Sequence, residues 1–249
     1  MKRKWSMPVV IYSLFIIVCV ICAGTKFYSN YEYDKQQSVM AMKNEEIEKK
    51  ELTNMNRLVN NDDCRMYELI NKSNKLEKSY IPGDLVYPSV NTVIKGKDNR
   101  NLLRRNAAEV LEEMFAAAKK DGVILYLHSG FRSYDTQNLI YASAKKQSGE
   151  SDEYIAKPGE SEHQTGLAAD LSSKEVNFKL DDSFEKSKAY KWLGNNAYKY
   201  GFILRYPKNK ESITGYKYES WHYRFIGKDI AKYLHKNNLT MEEFYKKID

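Results

Sequence analysis

Ser161-Glu162-His163-Gln164-Thr165-Gly166-Leu167-Ala168-Ala169-Asp170 is the stretch on which the reading of this chain turns. It carries one of only 4 histidines, a glycine placed to reverse the backbone, and an aspartate where Asp170-Leu171-Ser172 begins or ends a short strand. A loop that turns at Gly166 and enters a strand lets His163 and Asp170 face one point. Downstream, Glu219-Ser220-Trp221-His222 supplies a second imidazole with a carboxylate just ahead of it. Imidazole and carboxylate are the zinc donors outside thiolate sites. A catalytic zinc keeps three protein ligands and leaves a position for water, and His163, Asp170 and His222 make up such a set. Glu219 can stand beside the metal without ligating it, where a carboxylate takes a proton during attack and returns it to the leaving amine. Taken singly, each residue has a blander use: a core or surface histidine, a capping aspartate, a solvated glutamate, a packed Trp221. Spacing alone leaves both readings open.

Outward from this stretch, the pattern is mixed. Ala107, Ala108, Leu111, Met114, Phe115 and Ala118 recur at helical spacing and predict an amphipathic helix from Arg104 to Lys120. Val123 to His128 reads as a buried strand, Tyr134 to Gln147 and Ala189 to Tyr200 as helices. Gly201 to Leu204 and Trp221 to Phe225 read as strands, and Lys228 to Asn237 as a closing helix. No regular βαβ alternation appears, which predicts an α+β fold. His128 lies in the strand reading as a core histidine, and His235 on the charged closing helix as an exposed one.

The amino terminus reads differently. Met1-Lys2-Arg3-Lys4 precedes an uncharged apolar run from Trp5 to Thr25, long enough for a transmembrane helix with its amino terminus in the cytoplasm. A cleaved signal peptide competes with that reading, and either way the remainder is exported. From Tyr28 to Leu76 the chain is rich in Lys, Glu, Asn and Met without proline or glycine, which predicts a helical stalk. The expected division is an anchor over 1–27, a stalk over 28–66 and a compact domain over 67–249. The expected location is therefore the cell membrane, single-pass, with the compact domain outside the cytoplasm.

Composition bounds the partners. With 42% hydrophobic residues and a formal charge of +7, the chain folds and favours an anionic neighbour. Its lysines are scattered among acids and no nucleic-acid motif is present, so no nucleic-acid partner is expected. Three cysteines make no disulfide framework: Cys19 and Cys22 lie in the apolar run, and Cys64 stands alone.

Ser161-x-His163-x-x-Gly166-x-Ala168-x-Asp170 followed by Glu219-x-Trp221-His222 resembles the signature of VanY-type D-alanyl-D-alanine carboxypeptidases, in the LAS group of zinc peptidases. The likeness extends to Ser129-Gly130-Phe131-Arg132-Ser133 with Gln137, to Gly201-Phe202-Ile203-Leu204-Arg205-Tyr206-Pro207, and to Ile213-Thr214-Gly215-Tyr216. It covers 67–237 and implies a small, mostly antiparallel central sheet flanked by helices, of the hedgehog and D,D-peptidase type. It implies one zinc ion on His163, Asp170 and His222, Glu219 as general base and acid, and Arg132 as the stabiliser of developing negative charge. Ser161 and Gln137 would hold the substrate's terminal peptide and carboxylate. The implied substrates are peptidoglycan stem peptides or lipid-linked precursors, reached from the membrane through the amino-terminal helix. The implied reaction is removal of the terminal D-alanine, with a consequence for glycopeptide resistance. An L,D-carboxypeptidase acting on tetrapeptide stems, and a wall-binding module that keeps zinc without catalysis, are the alternatives. Ser220 stands where the family usually has proline, which leaves the approach to His222 less restricted.

Overall fold

The helical spacing in 105–120 turns directly into burial. The six residues at helical spacing, Ala107, Ala108, Leu111, Met114, Phe115 and Ala118, are all buried along one face. The helix ends in a Schellman closure, with Gly122 at φ 77°. Val123 N–H donates to the Ala118 carbonyl and Gly122 N–H to that of Lys119, at 2.8 and 3.0 Å. That closure takes Val123 out of the following strand, which starts later than expected.

The computed structural model describes residues 7–62, 65–148 and 155–248. In chain order the elements are α1 (Met7–Asn60), β1 (Leu85–Val86), β2 (Leu103–Arg104), α2 (Arg105–Lys120), β3 (Tyr126–Ser129), α3 (Tyr134–Ser148) and β4 (Ala168–Ser172). There follow α4 (Lys188–Asn196), β5 (Phe202–Leu204), α5 (Glu211–Thr214), β6 (His222–Phe225), α6 (Lys228–Asn237) and α7 (Met241–Ile248). The expected helix to Tyr200 breaks at Asn196 into a 3₁₀ turn, Ala197–Tyr200, closed by Gly201 at φ 81°. Strands β3–β4–β6–β5 form a four-stranded sheet with every neighbour antiparallel, and β1–β2 form a separate antiparallel pair. The fold is α+β.

The sheet separates packing from chemistry by its period of two. Ala169, Leu171, Tyr223 and Phe225 join Leu111, Met114, Phe115, Phe184 and Leu193 in one buried cluster. Each large apolar side chain so buried contributes about 1.5–3 kcal/mol. The alternate residues Asp170, His222 and Arg224 are buried on the opposite face.

The chain divides into two units, 1–54 and 55–249. The sheet and core belong to the second. The expected transmembrane helix is corrected here, while the stalk expected over 28–66 is helical as far as Asn60. Residues from Met7 to Asn60 form one unbroken helix, and among the described residues no helix is long and apolar enough to cross a membrane. The apolar run ends at Thr25-Lys26, and Lys, Glu and Asn dominate the rest, so the element taken whole is polar. Membrane contact through a spanning amino-terminal helix is therefore not supported. Cys19 and Cys22 are free thiols with exposed side chains. The basic tip Met1–Lys4 and Cys64 lie outside the described residues.

Candidate active site

Strand register makes the first pair. β4 and β6 align Ala168 with Arg224, Ala169 with Tyr223 and Asp170 with His222. Residues opposed in this way bring their Cβ atoms about 4.5–5.5 Å apart. His163 arrives from the 3₁₀ turn Glu162–Thr165, which Gly166 ends at φ 68°. Glycine adopts that backbone without strain, and a Cβ there would stand 2.8 Å from Leu85 Cδ2. Turn, reversal and strand then bring the three residues together. Their ligating atoms all lie within 4.8 Å of one another, and all three side chains are buried.

The imidazoles are oriented as a metal requires. His163 Nδ1 lies 2.6 Å from the Gly130 carbonyl. A carbonyl only accepts, so Nδ1 carries the hydrogen and Nε2 turns its lone pair towards Asp170 Oδ2, 3.2 Å away. His222 Nε2 faces Glu162 Oε2 at 3.4 Å, which turns Nδ1 inward to 3.0 Å from Asp170 Oδ1. Two imidazoles with their outer nitrogens engaged, together with one carboxylate, fit a zinc ion. The local field agrees. Burial opposes a charged His222, yet bonds to Asp170 and Glu162 push it up to about 9.

Glu219 Oε2 stands 3.7 Å from His222 Nδ1, outside the ligand cluster. Burial pushes its carboxyl up to about 7, against the pull of His222. Arg132 donates to Gln137 Oε1 at 3.0 Å and to Ser129 Oγ at 3.3 Å, and its Nη2 is 3.8 Å from Asp170 Oδ2. Its backbone N–H donates to the His163 carbonyl at 3.1 Å. Gln137 is buried and its Nε2 donates to the Ala156 carbonyl at 2.6 Å, so both ends of its amide are engaged within the protein. Ser161 is buried at the head of the 3₁₀ turn.

All seven expected residues (His163, Asp170, His222, Glu219, Arg132, Ser161 and Gln137) line one cavity of about 210 Å³. Tyr206, Tyr216 and Trp221 line it too. Ser220, in the position expected to be proline, is buried and its Oγ donates to the Asp181 carbonyl at 3.4 Å, so the serine is tethered there. His128 and His235 stand apart from the cavity. His128 Nδ1 is buried without a hydrogen-bond partner, and His235 is exposed with its ring stacked 3.7 Å from Tyr198.

Sequence reasoning missed the groups behind the ligands. Glu162, Arg205, Arg224 and Glu242 are all buried there. Charged residues in apolar strands, such as Arg224 in Trp221-His222-Tyr223-Arg224-Phe225, were the available signal.

Comparison with known proteins agrees with this geometry. A family model described as VanY, D-alanyl-D-alanine carboxypeptidase, matches residues 100–228. Putative carboxypeptidase YodJ of Bacillus subtilis (strain 168) is 48% identical over 182 residues, covering 72% of this chain and 67% of its own. The solved LdcB LD-carboxypeptidase superposes with a TM-score of 0.70 at 48% identity, over 73% of this chain and 86% of that one. The Zn(II) complex of a mutant vancomycin-resistance D,D-pentapeptidase, VanY from a VanB-type cassette, superposes with a TM-score of 0.57 at 29% identity, over 72% and 98%. The His163–Asp170–His222 cluster supplies the donors such a metal needs. The chain therefore belongs to the VanY family of D-alanyl-D-alanine carboxypeptidases and is a zinc-dependent hydrolase of that family.

Proposed function

We propose that this chain removes the terminal D-alanine from peptidoglycan stem peptides on the extracytoplasmic side, with His163, Asp170 and His222 as the zinc ligands. The observation that carries this reading is the convergence of those three side chains in one cavity, with Glu219 beside them and Arg132 on the wall. A zinc ion supplies Lewis acidity and lowers the pKa of water towards neutrality. Glu219, with its carboxyl near neutrality, is suited to take a proton from the attacking water and to pass it to the leaving D-alanine nitrogen. Arg132, held by neutral Gln137 and Ser129, keeps its charge for the carbonyl oxygen as negative charge develops there. Ser161 is placed to bond the terminal peptide group. Gln137 aligns the Arg132 guanidinium and borders the place of the terminal carboxylate.

The test is D-alanine release from a defined pentapeptide stem by the full chain, with and without chelator, beside Glu219→Ala. The wild type should release D-alanine, lose that activity to chelator and regain it with zinc. A chelated protein that still cuts at full rate sinks the proposal.

The 48% identity to an LD-carboxypeptidase favours a second reading, in which a tetrapeptide stem is the preferred substrate. Comparing kcat/KM on pentapeptide and tetrapeptide decides between the two. Cleavage of pentapeptides would remove the D-alanyl-D-alanine end that glycopeptides target. A pentapeptide-cleaving enzyme should therefore raise vancomycin tolerance on overexpression, and a tetrapeptide-cleaving one should not. Cell fractionation tests the extracytoplasmic location.

A further inference from the structure

Behind His222 lies a closed group of four charges. Glu162 Oε1 accepts from Arg205 Nε at 2.7 Å and from Arg224 Nη1 at 3.0 Å, and its other oxygen, Oε2, faces His222 Nε2. The three charged side chains are inaccessible to solvent. Arg224 spends its remaining donors on the carbonyls of Phe225, Met66 and Glu68. Arg205 places Nη1 and Nη2 on the two oxygens of Glu242, at 2.9 and 2.6 Å. Two carboxylates thus balance two guanidiniums, and the arginines occupy one oxygen of Glu162 while the other meets the imidazole. Glu242 belongs to α7, beyond the residues that the family model matches.

We propose that Glu162 is a positioning residue that aims His222 Nδ1 at the metal, and that α7 belongs to the metal centre because Glu242 balances the arginine holding Glu162. The proposal rests on the zinc reading given above. Its logic is that of a ligand imidazole whose second nitrogen is fixed by a carboxylate. Such outer partners set ring orientation, and their loss weakens metal binding about 10–100-fold. Without Glu242, Arg205 would keep a buried charge short of a partner and would compete with His222 for Glu162. The effect of α7 reaches the metal through that competition.

The experiment measures zinc affinity of the full chain by competition with a chromogenic chelator, for wild type, Glu162→Gln, Glu242→Gln and Glu242→Asp. Nitrogen-15 spectra of the zinc-loaded proteins report which His222 nitrogen carries the hydrogen. Glu162→Gln should weaken zinc binding about 10–100-fold and alter the His222 Nε2 signal. Glu242→Gln should weaken binding severalfold, with partial recovery in Glu242→Asp. For both, kcat should fall while KM holds. Zinc affinity and His222 spectra identical to wild type in Glu162→Gln and Glu242→Gln, even with lowered thermal stability, would overturn the proposal, since the network would then serve only the fold. If Glu162→Gln does not fold, Glu242→Gln decides by the same criterion. A wild type that binds no zinc brings down the metal-centre reading itself, an outcome distinct from unchanged variants.

Discussion

On one side of the three ligands, the front, stand Glu219, Arg132 and the cavity; on the other, the back, Arg205 and Arg224 hold Glu162, which itself borders the cavity. Front and back use charge in opposite ways. Behind, each carboxylate is matched by guanidinium groups at 2.6–3.0 Å and no side chain of Glu162, Arg205 or Arg224 reaches solvent. In front, Arg132 hydrogen-bonds neutral side chains and meets the Asp170 carboxylate only at 3.8 Å, as Glu219 meets His222 Nδ1 only at 3.7 Å. Buried charge without a close partner is costly, so it persists where a substrate completes the pairing. The reactive side keeps its charges available, and the supporting side uses its charges up.

That contrast can be broken by experiment. The largest expected effect is on the front: Glu219→Ala should cut D-alanine release about 10²–10⁴-fold with zinc content unchanged. Arg132→Ala should cost about 10²–10³-fold, again with zinc retained. Loss of metal in either variant would mean that front residues also support the ligands. On the back, Glu162→Ala leaves two buried guanidiniums short of a partner and should destabilise the fold by about 3–5 kcal/mol, read from urea unfolding. A variant as stable as wild type would refute the supporting role.

Acidity sharpens the comparison, because the two glutamates shift in opposite directions. For Glu162, burial raises the carboxyl pKa but Arg205 and Arg224 outweigh it and hold it below the usual carboxylate range. A depressed folded pKa gives stability that is present above the unfolded value, about 4.3, and lost as pH falls through the folded one. For Glu219, burial raises the carboxyl to about 7. Its contribution is present below about pH 4.3 and drains away as pH rises through the folded value. In chelator-treated protein, Glu162→Gln should therefore flatten the acid limb of the stability curve. Glu219→Gln should flatten the limb between about pH 4 and 7. Urea midpoints across pH measure both, and parallel curves would erase the distinction. The smallest effect is expected at the exposed Lys78–Asp135 pair, 3.1 Å apart. Lys78→Ala should leave the urea midpoint within the scatter of wild type, because exposed pairs contribute little.

Local patterns made much of this legible before any coordinates. The closing helix runs from Lys228 to Asn237 as its periodicity predicts, and Gly166 turns the chain between His163 and Asp170 as its position predicts. What depends on long-range pairing was not legible. The β4–β6 register that opposes Asp170 to His222 follows from how two distant strands pack, and a residue count alone does not determine it. The burial of Glu162 is likewise set by distant partners, Arg205 and Arg224, rather than by its neighbours in sequence. Helix α7 did carry a local sign that went unread. Thr240 and Glu243 form a capping box, with each side chain accepting from the other's backbone N–H at 3.2 and 2.8 Å. In the amino-terminal helix the apolar run continues without a break into the polar residues from Lys26 to Asn60, and no stretch of it is long and apolar enough to cross a membrane.

His163 is joined to the loop after β3 at two points, through its ring to the Gly130 carbonyl and through its own carbonyl to the Arg132 N–H. The turn that carries His163 and the loop that carries Arg132 therefore share one mechanical frame. The backbone spacing between those two residues is thus set by the fold itself, before any substrate arrives.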